Sequence, residues 1–275
     1  MASAIQTWKQ RIEAHNSQTL RARGDQQGYD DLWSTLAEGF RADPHRTDDP
    51  VVNLLAGWVG ADSTLLDVGG GAGAHALPLA LRCRQVTVVE PSPSMVSALT
   101  DAYRAAGIEN VSVATETWEE ANVEPADLVL CANVVYGVAD IEPFVRKLDA
   151  HARDRIAVVV WMDAPLSIMS PLWREVHGEE RIELPALPEL LTVLWEMEIY
   201  PNVEMLPAAA RRSAPTMEAA LQFARRFLCV QPGTEKDTRL LEAASKLIEE
   251  TPQGITVRGH RTRPQAVVWW RAQRG

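Results

Sequence analysis

The sequence predicts an α/β protein built on a doubly wound, mostly parallel sheet, and three observations support this fold class. Short apolar runs, typical of strands covered on both faces, alternate with segments of helical spacing from Leu65 onward. A glycine-rich stretch, residues 69–73, joins the first strand to the helix that follows it. The second strand, residues 85–90, ends in the acidic residue Glu90. In sheets of this kind the ligand lies at the carboxyl ends of the strands.

Two helices are predicted before the sheet. The first carries its apolar residues broadly on one helical face, namely Ile5, Trp8, Ile12 and Leu20. The second repeats this pattern with Tyr29, Leu32, Trp33, Leu36 and Phe40, which suit either a lid over a ligand or ordinary packing. Asp49 followed by Pro50 is a helix-start signal, so a further helix over residues 51–59 leads into the first strand.

The glycine stretch and the strand-tip acid predict a site for a nucleotide cofactor. Gly69, Gly71 and Gly73 let the backbone turn tightly, take positive φ and come close to a ligand. The Glu90 carboxylate can accept both hydroxyls of a ribose, so the choice lies between an NAD-type and an S-adenosylmethionine-type site. Asp67, directly before the first glycine, favours the second, because it attracts a positively charged amino acid moiety and repels a pyrophosphate.

From residue 54 to residue 161 the chain resembles the class I S-adenosylmethionine-dependent methyltransferases, with the motifs in the same order. Residues 67–73 are similar to the glycine motif of that family, and Glu90 matches its ribose-binding acid. Residues 111–118 are similar to the third strand and its tip. There Glu116 takes the position of an Asp, which implies a contact to the adenine amine.

Residues 127–136 resemble the fourth strand of the family, whose tip lies beside the transferable methyl group. Asn133 stands where many relatives carry His. We expect Asn133 and Tyr136 to be hydrogen-bonding groups that orient the reactants. His177, within the polar cluster 177–181, is the third catalytic candidate, because a His beside carboxylates can act as a general base near neutral pH.

The resemblance implies S-adenosyl-L-methionine as cofactor, S-adenosyl-L-homocysteine as product, and a Rossmann-like sheet with N-terminal helices and a helical cap after strand five. The predicted cofactor-binding residues are Asp67, Gly69, Gly70, Gly71, Gly73, Glu90, Pro91, Ser92, Met95, Glu116, Thr117, Trp118 and Asn133. Among these, Met95 begins a helix from which its flexible thioether can lie against an adenine ring.

The chain after the fourth strand continues the alternation and then becomes less regular. The predicted elements are a helix at 141–148, a strand at 155–161, a helix at 189–196, a strand at 200–206, helices at 216–228 and 234–250, and a closing strand at 266–270. Four units follow: a helical lid (1–47), a cofactor-binding core (48–162), a cap (163–253) and a closing strand (254–275). The cap is expected to supply an acceptor pocket with Leu166, Ile168, Met169, Leu172 and Trp173.

The composition limits the partners. The formal net charge of −10 argues against a broad nucleic-acid surface, which needs concentrated Lys and Arg. Cys83, Cys131 and Cys229 are widely separated, so we predict neither a disulfide framework nor a metal site, and we expect a reducing cytoplasm. The N-terminal residues lack the continuous apolar run of a membrane anchor.

The sequence therefore favours a methyltransferase that acts on a small, partly apolar molecule by in-line transfer. A carboxylate or a neutral amine attacks without help, whereas a hydroxyl must be deprotonated, and no decisive base is visible. Two alternatives stay open at this point: a non-catalytic cofactor-binding or regulatory protein of the same fold, and an NAD-dependent oxidoreductase.

Overall fold

The computed structural model describes residues 3–24, 43–207, 213–252, 254–258 and 264–273. Its centre is a seven-stranded sheet with the strand order β3-β2-β1-β4-β5-β9-β6. The strands are β1 (Thr64–Val68), β2 (Gln85–Val89), β3 (Val111–Ala114), β4 (Ala126–Ala132), β5 (Ala152–Trp161), β6 (Asn202–Met205) and β9 (Gln265–Arg271). The strands β1 to β5 pair in parallel, and β9 runs antiparallel between β5 and β6. The predicted fold class is thus confirmed.

Nine helices accompany the sheet in the part of the chain that the structure describes. They are α1 (Ala4–Arg23), α2 (Pro50–Leu55), α3 (Ala76–Ala80), α4 (Pro93–Ala105), α5 (Ile141–Ala150), α6 (Ser170–His177), α7 (Leu187–Glu196), α8 (Met217–Phe227) and α9 (Glu235–Leu247). Asp49 caps α2, as its side chain accepts the N–H of Val52. The helix ends at Leu55, four residues before the predicted end.

Both faces of the sheet are covered, which explains why its strands read as continuous apolar runs. One hydrophobic cluster joins Leu66 and Val68 of β1 to α1, α5 and α7. A second cluster joins Leu65 of β1 to α2, α3 and α4 on the other face. Because successive side chains of β1 point to opposite faces, each face of the strand faces its own core.

A third hydrophobic cluster forms a cap, which consists of α6, α8, α9 and the hairpin of β7 (Ile248–Thr251) and β8 (Gly254–Val257). Its chain segments leave the sheet after β5 and again after β6. Since β5 and β6 are both antiparallel to β9, they point the same way, and both segments leave at the carboxyl edge of the sheet. The cap is therefore attached at the edge where a ligand is expected.

The predicted unit boundaries differ from this arrangement. Helix α7 and strand β6 lie within the predicted cap, but α7 packs in the core of the sheet and β6 pairs with β9. Strand β8 begins the predicted closing segment, yet it pairs with β7 inside the cap. The closing strand itself starts at Gln265.

Helix α1 connects the sheet to the cap. Trp8 and Ile12 are buried against the sheet, and the indole N–H of Trp8 donates to the carbonyl of Val138 at 2.8 Å. Ala22, near the other end of α1, packs against the cap. Leu20 is 63% exposed, so its predicted place on the buried face is wrong. The second predicted helix, with Tyr29, Leu32, Trp33, Leu36 and Phe40, lies outside the described residues.

Candidate functional site

The glycine loop after β1 is tightly packed at Gly73 and open at Gly71. A Cβ on Gly73, which has φ +85°, would lie 2.5 Å from Cδ1 of Leu99, so only glycine fits there. Among the described residues, a Cβ on Gly71, with φ +56°, would meet only the sulfur of Met95, at 4.0 Å. The loop thus leaves open space above Gly71, and Met95, itself buried against Ala72, borders that space.

The carboxylate of Glu90 holds this loop to the end of β2. Its Oε2 accepts the backbone N–H of Gly71 at 2.9 Å, and its Oε1 accepts the backbone N–H of Ser92 at 2.9 Å. Ser92 in turn caps α4, since its hydroxyl accepts the N–H of Met95. A carboxylate accepts hydrogen bonds through both of its oxygens, which is the property that the hydroxyls of a ribose require.

Asp67 lies beneath the loop and is 1% exposed. Neither of its carboxylate oxygens has a hydrogen-bond partner among the described residues. Burial, and then the charge of Glu90, raise the pKa of Asp67 to about 7. A buried carboxylate without partners is costly unless a donor or a cation binds to it. The site therefore fits the ammonium group of an amino acid moiety.

The predicted cofactor-binding residues that follow β3 lie in two different environments. Glu116 and Thr117 are exposed beyond the end of the strand. Trp118 is 4% exposed in the core of the sheet, where its indole N–H donates to the carbonyl of Phe144 and the Lys147 ammonium lies 4.7 Å from its ring centre. The structure does not bring Trp118 to the open side of the glycine loop.

The tips of β4, β5 and β9 meet around Asn133. This residue has φ +61°, a left-handed conformation that is uncommon outside glycine. Its Oδ1 accepts a hydrogen bond from Nε2 of Gln265 at 3.1 Å. The buried hydroxyl of Tyr136 accepts the backbone N–H of Trp161 at 2.6 Å, and burial raises the pKa of this phenol. Sequence reasoning missed Gln265, because nothing local marks a residue 132 positions from Asn133.

His177 lies in the cap and away from the strand tips. Its Nε2 donates to the carbonyl of Leu228 at 2.8 Å, and its ring stacks on Trp173 with 4.2 Å between the ring centres. Burial lowers its pKa. With this nitrogen committed to a carbonyl, the imidazole is a structural part of the cap.

A surface cavity of about 370 Å³ lies at the opposite edge of the sheet. Tyr200, Asn202 and Arg271 are among the residues that line it. Asn202 begins β6 and Arg271 ends the antiparallel β9, so this is the amino edge of the parallel strands. The cavity is separate from the candidate site.

Comparisons with known proteins agree with this geometry. Residues 65–155 match the family model of a methyltransferase domain. An uncharacterized protein of Haemophilus influenzae is 24% identical over 245 residues, which cover 87% of each chain. A ubiquinone biosynthesis O-methyltransferase of Rickettsia prowazekii is 32% identical over 100 residues, 36% of this chain and 40% of the relative. A methyltransferase structure from Thiobacillus denitrificans, in complex with S-adenosyl-L-homocysteine, has a TM-score of 0.51 at 13% identity, covering 88% of this chain and 98% of that one.

The sheet order, the glycine loop and the strand-tip acid define a Rossmann-like protein that binds a nucleotide cofactor at the carboxyl edge of its strands. The match of residues 65–155 to a methyltransferase domain identifies that cofactor as S-adenosyl-L-methionine. Residues 65–155 carry a methyltransferase domain, so the protein is an S-adenosylmethionine-dependent methyltransferase with S-adenosyl-L-methionine as its cofactor.

Proposed function

We propose that this methyltransferase acts on a small, partly apolar molecule by in-line methyl transfer. The observation that carries the proposal is the cap, which joins the sheet at the same edge as the glycine loop and the tip of β4. A covered edge of this kind suits an enclosed acceptor more than an extended polymer.

The apolar residues proposed for the acceptor pocket separate into two groups. Leu172 and Trp173 are fully buried in the hydrophobic cluster of the cap, so they stabilise the cap itself. Leu166, Ile168 and Met169 belong to a 3₁₀ turn that directly follows the β5 region, and all three are only half-buried. Ile168 and Met169 also pack against that cluster, and the parts of these three side chains that stay exposed are proposed to contact the acceptor.

The residues at the carboxyl edge fit the parts of the cofactor. Asp67 would hold the ammonium group, Glu90 the ribose hydroxyls and Glu116 the adenine amine, while Met95 would border the adenine ring. When bound, the sulfonium supplies an already activated methyl group. The task of the protein is therefore to align the acceptor and to exclude water.

The net charge of the protein and its sequence similarity to a known enzyme support a small acceptor. The net charge of −10 disfavours a polynucleotide, and the Rickettsia relative is named as an enzyme of ubiquinone biosynthesis. In the described part of the chain no helix is both long enough and apolar enough to cross a membrane. A cytoplasmic location stays a prediction; Cys83, Cys131 and Cys229 are buried and form no disulfide among the described residues.

The test is methyl transfer from labelled S-adenosyl-L-methionine into three substrate pools: small metabolites, transfer RNA and denatured protein. We expect label in small molecules. Label that appears only in RNA or only in protein would overturn the small-molecule proposal while leaving the methyltransferase assignment intact.

A further inference from the structure

Four residues form a strand-tip network where the carboxyl ends of β4 and β5 meet the amino end of the antiparallel β9. Gln265 donates from Nε2 to Oδ1 of Asn133, and Trp161 donates its backbone N–H to the Tyr136 hydroxyl. Trp161 and Gln265 are register partners at the ends of β5 and β9. Asn133 and Tyr136 are therefore held from the same pair of neighbouring residues.

The direction of these hydrogen bonds decides what the network offers to a ligand. An Asn side chain has one accepting oxygen and two N–H donors, and here Gln265 occupies the oxygen. The Tyr136 oxygen likewise accepts from Trp161, so the phenol has its O–H to donate. Burial raises the pKa of Tyr136 and keeps that proton in place at neutral pH. Both side chains thus present donors, which match a partner that carries lone pairs.

Three imidazoles in the described part of the chain have a ring nitrogen engaged by a backbone carbonyl. His177 binds the carbonyl of Leu228, and His151 binds that of Lys147. One ring nitrogen of His15 binds the carbonyl of Ile182, and the other accepts from Arg181. A carboxylate acceptor needs no base, because it brings a nucleophile that is already deprotonated.

We infer that the acceptor atom is a carboxylate oxygen and that the product is a methyl ester, an inference that rests on the proposed methyl transfer to a small molecule. The carboxylate oxygen attacks the methyl carbon, and the carbon–sulfur bond breaks with its electron pair going to sulfur. One negative and one positive charge are consumed, and no proton is transferred. This balance suits a site that presents hydrogen-bond donors, and the transfer itself needs no base.

The first experiment identifies the acceptor class. Full-length protein is given methyl-labelled S-adenosyl-L-methionine with separate pools of small carboxylic acids, phenols with alcohols, and amines. We expect label in the carboxylic acid pool that mild alkali releases as volatile methanol, because esters hydrolyse and ethers and methylamines do not. Base-stable label, or no label in the acid pool, overturns the inference. Failure of S-adenosyl-L-homocysteine to bind in a parallel titration would instead remove the proposed function.

The second experiment reverses the orientation of the Asn133 side-chain amide by a substitution at Gln265. In Gln265→Glu the new carboxylate accepts from Nδ2 of Asn133, so the amide presents its oxygen to the acceptor. We expect KM for the carboxylate to rise roughly tenfold, the effect of one lost hydrogen bond to a charged group, with kcat changed less. The affinity for S-adenosyl-L-homocysteine should stay within about twofold.

Gln273→Glu is the matched control, since Gln273 lies just beyond the opposite end of β9 and donates to the carbonyl of Glu198. Equal effects of the two variants on KM would contradict the inference.

Asp163→Asn tests the rival role of a base at the end of β5. If kcat of the wild-type protein falls at low pH and this pH dependence is absent in Asp163→Asn, Asp163 acts as a base. That result would also contradict the inference.

Discussion

The cofactor edge and the cap are built in different ways. At the cofactor edge, Asp67, the glycine loop and Glu90 lie within 24 residues of sequence, and the Gly71 N–H donates to the Glu90 carboxylate. The cap collects α6, α8 and α9 from segments on both sides of β6, and a hydrophobic cluster holds it together. The first region is specified by a local motif and the second by long-range packing. Mutations should therefore affect cofactor binding in the first and stability in the second.

The largest expected effect is in the cap. Trp173 is 1% exposed among Leu172, Val176 and other cluster residues, and the Arg181 guanidinium lies 3.9 Å from its ring centre. Trp173→Ala should lower the free energy of unfolding by about 3 to 5 kcal/mol. Urea unfolding measures this loss. Trp195→Ala is the control, because Trp195 is 55% exposed on α7 and its truncation should cost at most about 0.5 kcal/mol.

The comparison also predicts that Trp173→Ala spares cofactor affinity where the protein stays folded, since the cap and the glycine loop belong to separate hydrophobic clusters. A fall in affinity for S-adenosyl-L-homocysteine that parallels the loss of stability would show that the two regions are one cooperative unit.

A pH effect of similar size is expected at the cofactor edge. The pKa of Asp67 is about 7 in the folded protein, against 3.8 as its ordinary value, so the native state binds more protons than the unfolded chain in that window. Stability of the ligand-free protein should therefore fall as the pH rises from about 4 to 7, by on the order of 3 to 4 kcal/mol from this residue. Unfolding of Asp67→Asn over the same range should lack this decline. Parallel curves for the two proteins would mean that Asp67 is ionised and stabilised in the fold.

Glu90→Ala should weaken binding of S-adenosyl-L-homocysteine at least tenfold. Charge-assisted hydrogen bonds contribute roughly 1.5 to 3 kcal/mol each. Because Glu90 also holds the N–H groups of Gly71 and Ser92, we expect some loss of stability as well. Calorimetric titration and urea unfolding of the same variant measure both. A folded Glu90→Ala protein with unchanged affinity would show that the ribose acid is another residue.

The smallest effect is expected at the tip of β3. Glu116 is exposed, so its contact to the adenine amine would be partly solvated, and Glu116→Ala should reduce affinity only a few-fold. Glu119→Ala, an exposed neighbour, serves as the control. Equal affinities of the two variants would remove Glu116 from the proposed site.

Particular residues show what the sequence could predict. Asp67 and Glu90 are both buried at the carboxyl edge, as their place beside a glycine stretch and at a strand tip indicated. Local periodicity could not tell which core an aromatic residue joins. Trp118 thus packs under α5 instead of at the strand edge, and Trp173 packs within the cap instead of lining a pocket.

Long-range pairing was beyond the sequence. The partnership of Gln265 with Asn133 depends on β9 entering the sheet beside β5, and no local pattern carries that register. Strand β6 lies in the sequence between two parts of the cap, and it joins the sheet by pairing with β9.

The central claim is that the buried carboxylate of Asp67 and the glycine loop select S-adenosyl-L-methionine as the cofactor. Calorimetric titration of S-adenosyl-L-homocysteine and of NAD into the wild-type protein and into Asp67→Ala tests it most directly. We expect one molecule of S-adenosyl-L-homocysteine to bind per wild-type chain, at least tenfold weaker binding to Asp67→Ala, and no binding of NAD. Binding of NAD, or equal affinity of both proteins for S-adenosyl-L-homocysteine, would contradict the claim.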